Sequence, residues 1–331
     1  MRWFVSMMAA GIVLYSATAV AGETTVVKLG PLVASEVQLT TSPEMDYLPN
    51  FSPDGKRLAF TSYASGEEEI WVMDLDGKNA HALTHHPKGN WSPAWSPDGK
   101  TIAFTSARDG VNQLWLMDAD GSNPRPLTQA DPLPTTWSRD PSWSRDGKMI
   151  IFTSNRTGKD ENWIIDLTTQ KQWRQATESG GPCGSGNRPP MPPALAQPPP
   201  KPEGCLFGMA EHWHPSFNPD STRVLFSSNM SGEWGLWLSD LEGKNLVRLV
   251  ADKRFDNNPA ASWSPDGQRI IFRTADSNLW IMKSDGSNLS PLTMDGMVDG
   301  WRSSWSPDGK KIAYTSLRSG NSDIWVITLI K

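Results

Sequence analysis

Trp95-Ser96-Pro97-Asp98-Gly99-Lys100-Thr101-Ile102-Ala103-Phe104-Thr105 is the stretch that decides the fold. Pro sets φ for a tight turn, Asp offers the turn a local acceptor, and Gly takes the positive φ. The aromatic ends one strand. The apolar run beyond the turn begins the next, and it hardly alternates, which suits a strand packed on both faces. The same pattern recurs as Phe51 to Gly55, Trp263 to Gly267 and Trp305 to Gly309, with degenerate copies at Trp143 to Gly147 and Phe217 to Ser221. Successive aromatics stand 44, 48, 74, 46 and 42 residues apart, and an insertion accounts for the one long interval.

Each unit reads as four short strands. The third carries an aliphatic-Trp pair, as in Ile70-Trp71, Leu114-Trp115, Leu236-Trp237, Leu279-Trp280 and Ile324-Trp325, with Asn162-Trp163 in the third copy. The last strand ends in Leu-Thr and tolerates Pro126 and Pro291, which marks it as a sheet edge. Units of this length that bury both faces by stacking are the signature of a β-propeller. The fold class is therefore all-β: a six-bladed propeller of four-stranded antiparallel blades. The sixth unit stops one strand short, at Lys331, whereas Glu36-Val37-Gln38-Leu39-Thr40 is a strand with no unit before it. The N-terminal strand is expected to complete the last blade and close the ring.

These repeats resemble the TolB-type, WD-like propeller family over about residues 36–331. TolB-type chains with an α/β domain before the propeller differ from this one, where about 14 residues lie between the leader and the first strand. The resemblance implies a propeller and an envelope role. The repeats are also similar to the propellers of prolyl-oligopeptidase-type peptidases and oligogalacturonate lyases. The former need a hydrolase domain that no residues remain to build.

The rest of the chain sets the context. Met1 to Ala21 reads as a secretory signal peptide, with Arg2, an apolar run and the small-x-small site Ala19-Val20-Ala21. The expected organisation is a leader at 1–21, a linker at 22–35 and a propeller at 36–331. That gives a periplasmic or secreted protein with no transmembrane anchor after cleavage, and a monomer. A formal net charge of −5 argues against a nucleic-acid partner, which needs basic surface. Residues 178–211 form a Pro/Gly-rich insertion flanked by Cys183 and Cys205, and an exported chain favours a disulfide between them.

Catalytic motifs are missing: there is no Gly-x-Ser-x-Gly, His-Glu-x-x-His or Cys-x-x-Cys. No cofactor, metal or catalytic residue is assigned. The Asp-x-Asp-Gly sequences at 74–77 and 118–121 lack the closing Glu of a calcium loop and read as hairpin turns. Of the 17 Trp, ten fall on repeat positions and belong to blade packing. Trp91, Trp137, Trp213 and Trp301 instead lie in loops that lead from an outer strand to the next inner strand, and Tyr47 matches them in the first copy. Polar residues Arg139, Asp140, His212, His214, Arg254, Asp256 and Arg302 accompany them. All such loops open on one face, so these twelve residues are the candidate binding face. Packing of the rings between blades is the competing reading. The function expected is a non-catalytic scaffold for a protein or peptide partner; the alternative is a saccharide-active enzyme or lectin.

Overall fold

The computed structural model describes residues 29–129, 136–175, 211–231, 233–250 and 260–330. The expected leader, the Pro-rich insertion with Cys183 and Cys205, and the candidates Arg254 and Asp256 lie outside them. Every regular element among the described residues is a strand.

β1 (Val33–Gln38) precedes the first complete blade, which is formed by β2 (Asp46–Phe51), β3 (Arg57–Ser62), β4 (Glu69–Asp74) and β5 (His81–Ala82), hydrogen-bonded in that order. Four further blades repeat the meander, and the sixth takes three strands from the C-terminal end and one from the N-terminus. The six sheets form the expected six-bladed propeller. In each blade the turn aromatic ends the inner strand, as Phe51, Trp95, Trp143, Phe217, Trp263 and Trp305. The turn works as its residues dictate. In blade 1, Ser52 Oγ donates to Asp54 Oδ1 at 2.6 Å, the Lys56 N–H donates to the same oxygen at 3.1 Å, and Gly55 has φ 70°. The outer strand is shorter than the Leu-Thr pattern suggests. β5 holds only His81 and Ala82, and the following Thr84 turns its hydroxyl inward to accept from the Ile70 N–H at 2.9 Å.

The core lies between blades rather than within them. Ile70 and Val72 of blade 1 pack with Ile102, Phe104 and Met117 of blade 2, while Phe60 and Met73 pack the other way against Ala313 and Ile324 of blade 6. One ring per blade sits at the same place on the second strand: Phe60, Phe104, Phe152, Phe226, Phe272 and Tyr314, all buried. Each such ring contributes about 2–3 kcal/mol by leaving water.

Closure follows the sequence reading. Val37 pairs with Val326, Gln38 pairs with Trp325, and the Leu39 N–H donates to Ile324 O at 2.8 Å. The strand begins at Val33, ahead of the Glu36 that opens the sequence pattern. Tyr314 is the one hydroxylated member of the ring of six, and its hydroxyl donates to Glu36 of β1. Arg318 joins the same carboxylate, pairs with Asp295, and lies 5.2 Å from the Trp325 ring centroid. The polar atom that Tyr introduces into the core is thus satisfied by the closing strand.

Candidate functional site

Four of the six inner strands break at one point. Their pairing with the second strand slips between Tyr47 and Asn50, Trp91 and Ala94, Arg139 and Ser142, and Trp213 and Ser216. In these four blades the residue three before the turn aromatic is left-handed: Leu48 at φ 55°, Ser92 at 56°, Asp140 at 59° and His214 at 51°. None is glycine, so each bulge carries a backbone cost on the order of 1 kcal/mol that its surroundings must hold in place. Neighbouring blades supply part of that hold. Thr61 Oγ1 accepts from the Ser92 N–H at 3.2 Å, and Thr105 Oγ1 from the Asp140 N–H at 3.4 Å.

The bulges re-aim the side chains before them. Tyr47, Trp91, Arg139, Trp213 and Trp301, each four residues before a turn aromatic, line one cavity of about 480 Å³ at one mouth of the central channel. Leu48, Asp140 and His214 also line it, with Glu68, Asn112, Arg273, Asp299 and Gly300. Rings from different blades meet there: the centroids of Tyr47 and Trp301 are 4.8 Å apart. Tyr47 donates its hydroxyl to Glu68, Trp213 its indole N–H to Asp160 at 2.8 Å, and Trp301 its indole N–H to Asp299 at 3.1 Å.

Asp140 is the electrostatic centre. Its carboxylate accepts from Ser92 Oγ at 3.0 Å and lies 3.6 Å from Arg139 Nε and 3.7 Å from His214 Nδ1. Burial pushes this carboxyl up, but His214, Arg139 and Arg302 outweigh it and hold it below the usual carboxylate range. Burial lowers His214 to about 4 despite Asp140, so its ring is neutral near pH 7. Arg302 faces the opposite mouth, in a second cavity of about 250 Å³ shared with Ser92 and Leu48. Its guanidinium donates to Pro215 O at 2.9 Å.

The structure therefore sorts the described candidates. Tyr47, Trp91, Arg139, Asp140, Trp213, His214 and Trp301 come together around one cavity. Trp137 is not on its wall: Arg139 takes the equivalent place, and Trp137 stacks beneath it, 4.1 Å from the guanidinium carbon. His212 is buried one residue away, edge-on to Phe226 at 5.4 Å. Glu68 and Asn112 escaped the sequence reading. Both immediately precede a third strand, the position that Asp160 holds in blade 3, so aligning that position across the repeats would have exposed them.

Comparison with known proteins agrees with this architecture. Residues 21–180 match the TolB beta propeller domain model, and residues 218–330 match that of the dipeptidyl peptidase IV N-terminal region. The Tol-Pal system protein TolB of Anaeromyxobacter dehalogenans is 42% identical over 88 residues, covering 26% of this chain and 20% of that protein. The chain thus matches one fifth of that relative's length. A putative TolB from Agrobacterium tumefaciens superposes with a TM-score of 0.63 at 20% identity, covering 89% of this chain and 97% of that one. An oligogalacturonate lyase from Vibrio parahaemolyticus gives 0.58 at 15% identity, covering 96% and 97%. These two likenesses are of fold. Six blades of TolB-type repeats, matched by the TolB model over residues 21–180 and superposed over most of the chain, make this a six-bladed β-propeller similar to the TolB-type family.

Proposed function

We propose that this chain is a non-catalytic scaffold of the cell envelope that receives a protein or peptide partner in the cavity walled by Tyr47, Trp91, Arg139, Trp213 and Trp301. The observation that carries the reading is the convergence of four aromatic side chains from four blades on one open cavity. Five of the six blade-to-blade clusters include none of these rings, and Trp213 packs against the edge of the sixth. Aromatic anchors in a rimmed pocket are what protein interfaces use for most of their affinity. The similarity to a protein of the Tol-Pal system supports an envelope setting, and the leader expected from the sequence at residues 1–21 would agree with it. Affinity capture from envelope extract tests the proposal. Wild type is expected to enrich one protein that Trp91→Ala combined with Trp301→Ala fails to retain while still melting cooperatively. Equal capture by the folded double variant overturns it.

The Tyr47–Trp301 ring pair also supports a second reading, a saccharide stacked on the two rings. A glycan array separates the two: a hit lost in the same double variant favours the sugar.

A further inference from the structure

Among the charged groups that wall the cavity, Arg139 carries open hydrogen-bonding capacity, and it is a donor. The cavity's acids are engaged. Glu68 receives the Tyr47 hydroxyl. Asp299 receives Ser322 Oγ at 2.6 Å, the Gly300 N–H at 2.7 Å and the Trp301 indole at 3.1 Å. Asp140 receives Ser92. Just outside the wall, Asp160 receives the Trp213 indole.

Arg139 differs. Its guanidinium carbon lies 4.1 Å from the Trp137 ring and 5.1 Å from the Trp213 ring, so two indoles confine the plane of the fork. Its Nε is buried and stands 3.6 Å from Asp140, close enough to fix the fork by charge but beyond a hydrogen bond. Its two terminal amino groups meet no acceptor among the described residues, yet the side chain is 31% exposed and lines the cavity. Asp160 and Glu211 feel its charge without reaching ion-pair distance.

A planar guanidinium held flat by stacking, with both terminal nitrogens open to a pocket, is preorganised for a bidentate acceptor. We infer that Arg139 recognises the C-terminal carboxylate of the bound partner, docked fork to fork inside the aromatic cavity. This rests on the partner-binding reading and sharpens it: the partner segment is acidic at its buried tip. The surrounding rings exclude water from the pair, and Asp140 keeps the guanidinium from turning. Lys would keep the charge but lose both the stacking and the second hydrogen bond.

The test uses the whole protein and two probes, N-acetyl-Gly-Gly-Leu with a free C-terminal carboxylate and the same peptide as its amide. Binding is read from the Trp indole N–H resonances at pH 7 and constant ionic strength. The acid is expected to bind at least about tenfold more tightly than the amide, as one good bidentate pair provides. Arg139→Gln should reduce the acid to the level of the amide, and Arg139→Lys should recover only a minor part. Equal binding of acid and amide to wild type, or no binding of either at about 20 mM, overturns the inference without any variant having to fold. So does a folded Arg139→Gln protein that still prefers the acid. Failure here, with partner capture still lost in the Trp91/Trp301 double variant, would sink the carboxylate and leave the partner-binding reading standing.

Discussion

Asp46→Asn is expected to stabilise the protein, and the gain should be pH-dependent. Asp46 opens β2, is buried, and its Oδ1 accepts no hydrogen bond among the described residues. Burial raises its carboxyl from 3.8 to about 6; the Ser62 and Thr40 hydroxyls pull it down, and Asp323 pushes it further up. A folded-state value above the unfolded one means that the native protein holds this proton more tightly. Stability from this group is therefore complete below about pH 3.8, falls as pH rises, and is fully lost above about 6. At about 1.4 kcal/mol per unit, the loss approaches 3 kcal/mol at pH 7.5. An amide of the same shape removes the ionisation and keeps the volume, but it must itself be buried. We expect a net gain of about 1–2 kcal/mol at pH 7.5, a rise in Tm of about 2–6 °C for a chain of this size. At pH 4 the gain should shrink to near zero. Scanning calorimetry of both proteins at pH 4, 6 and 7.5 checks this. No gain at pH 7.5, or the same gain at pH 4, would refute the reasoning, because packing and not charge would then set the difference.

Two other substitutions probe the same physics. His212 is buried with its ring lowered to about 3, mainly by burial and further by Lys159 and Arg174. The unfolded chain takes up this proton first, so His212→Gln should flatten the acid limb of stability by about 1.4 kcal/mol per pH unit between 6.5 and 5, read by denaturation midpoints. Asp140→Asn removes the carboxylate that faces Arg139 and His214 in the channel. It should cost about 3 kcal/mol in urea unfolding, because buried guanidinium charge is left uncompensated.

How much was legible differs between fold and site, for a physical reason. Turn chemistry is local, so Pro-Asp-Gly after an aromatic, or a degenerate copy of it, marked every blade, and the lone Leu-Thr strand at 36–40, set against a last unit one strand short, marked the closure. The cavity depends on the bulge in four of the inner strands, which no residue type announces: Leu48, Ser92, Asp140 and His214 share a left-handed φ without sharing any chemistry. Counting aromatics placed Trp91, Trp213 and Trp301 on the wall because identity and position coincide there. In blade 3 they part company, and Arg139 holds the position while Trp137 supports it from behind. The bulge also explains the other misplacements. Two residues before the left-handed His214, His212 turns into the space between blades, and in blade 6 Arg302, at the equivalent of the bulge position, lines the second cavity instead.

The pairing of Val37 with Val326 has a consequence for biosynthesis. The two residues are 289 positions apart, so the earliest strand made must wait for the very last one. At about 5–20 residues per second that wait is roughly 15–60 s, during which five finished blades can stack but the circle stays open. A translating ribosome or translocation channel therefore holds an unsealed arc with two bare sheet edges. Truncation that removes the last strand, Asp323–Leu329, would leave that arc as the end product rather than a slightly shortened propeller.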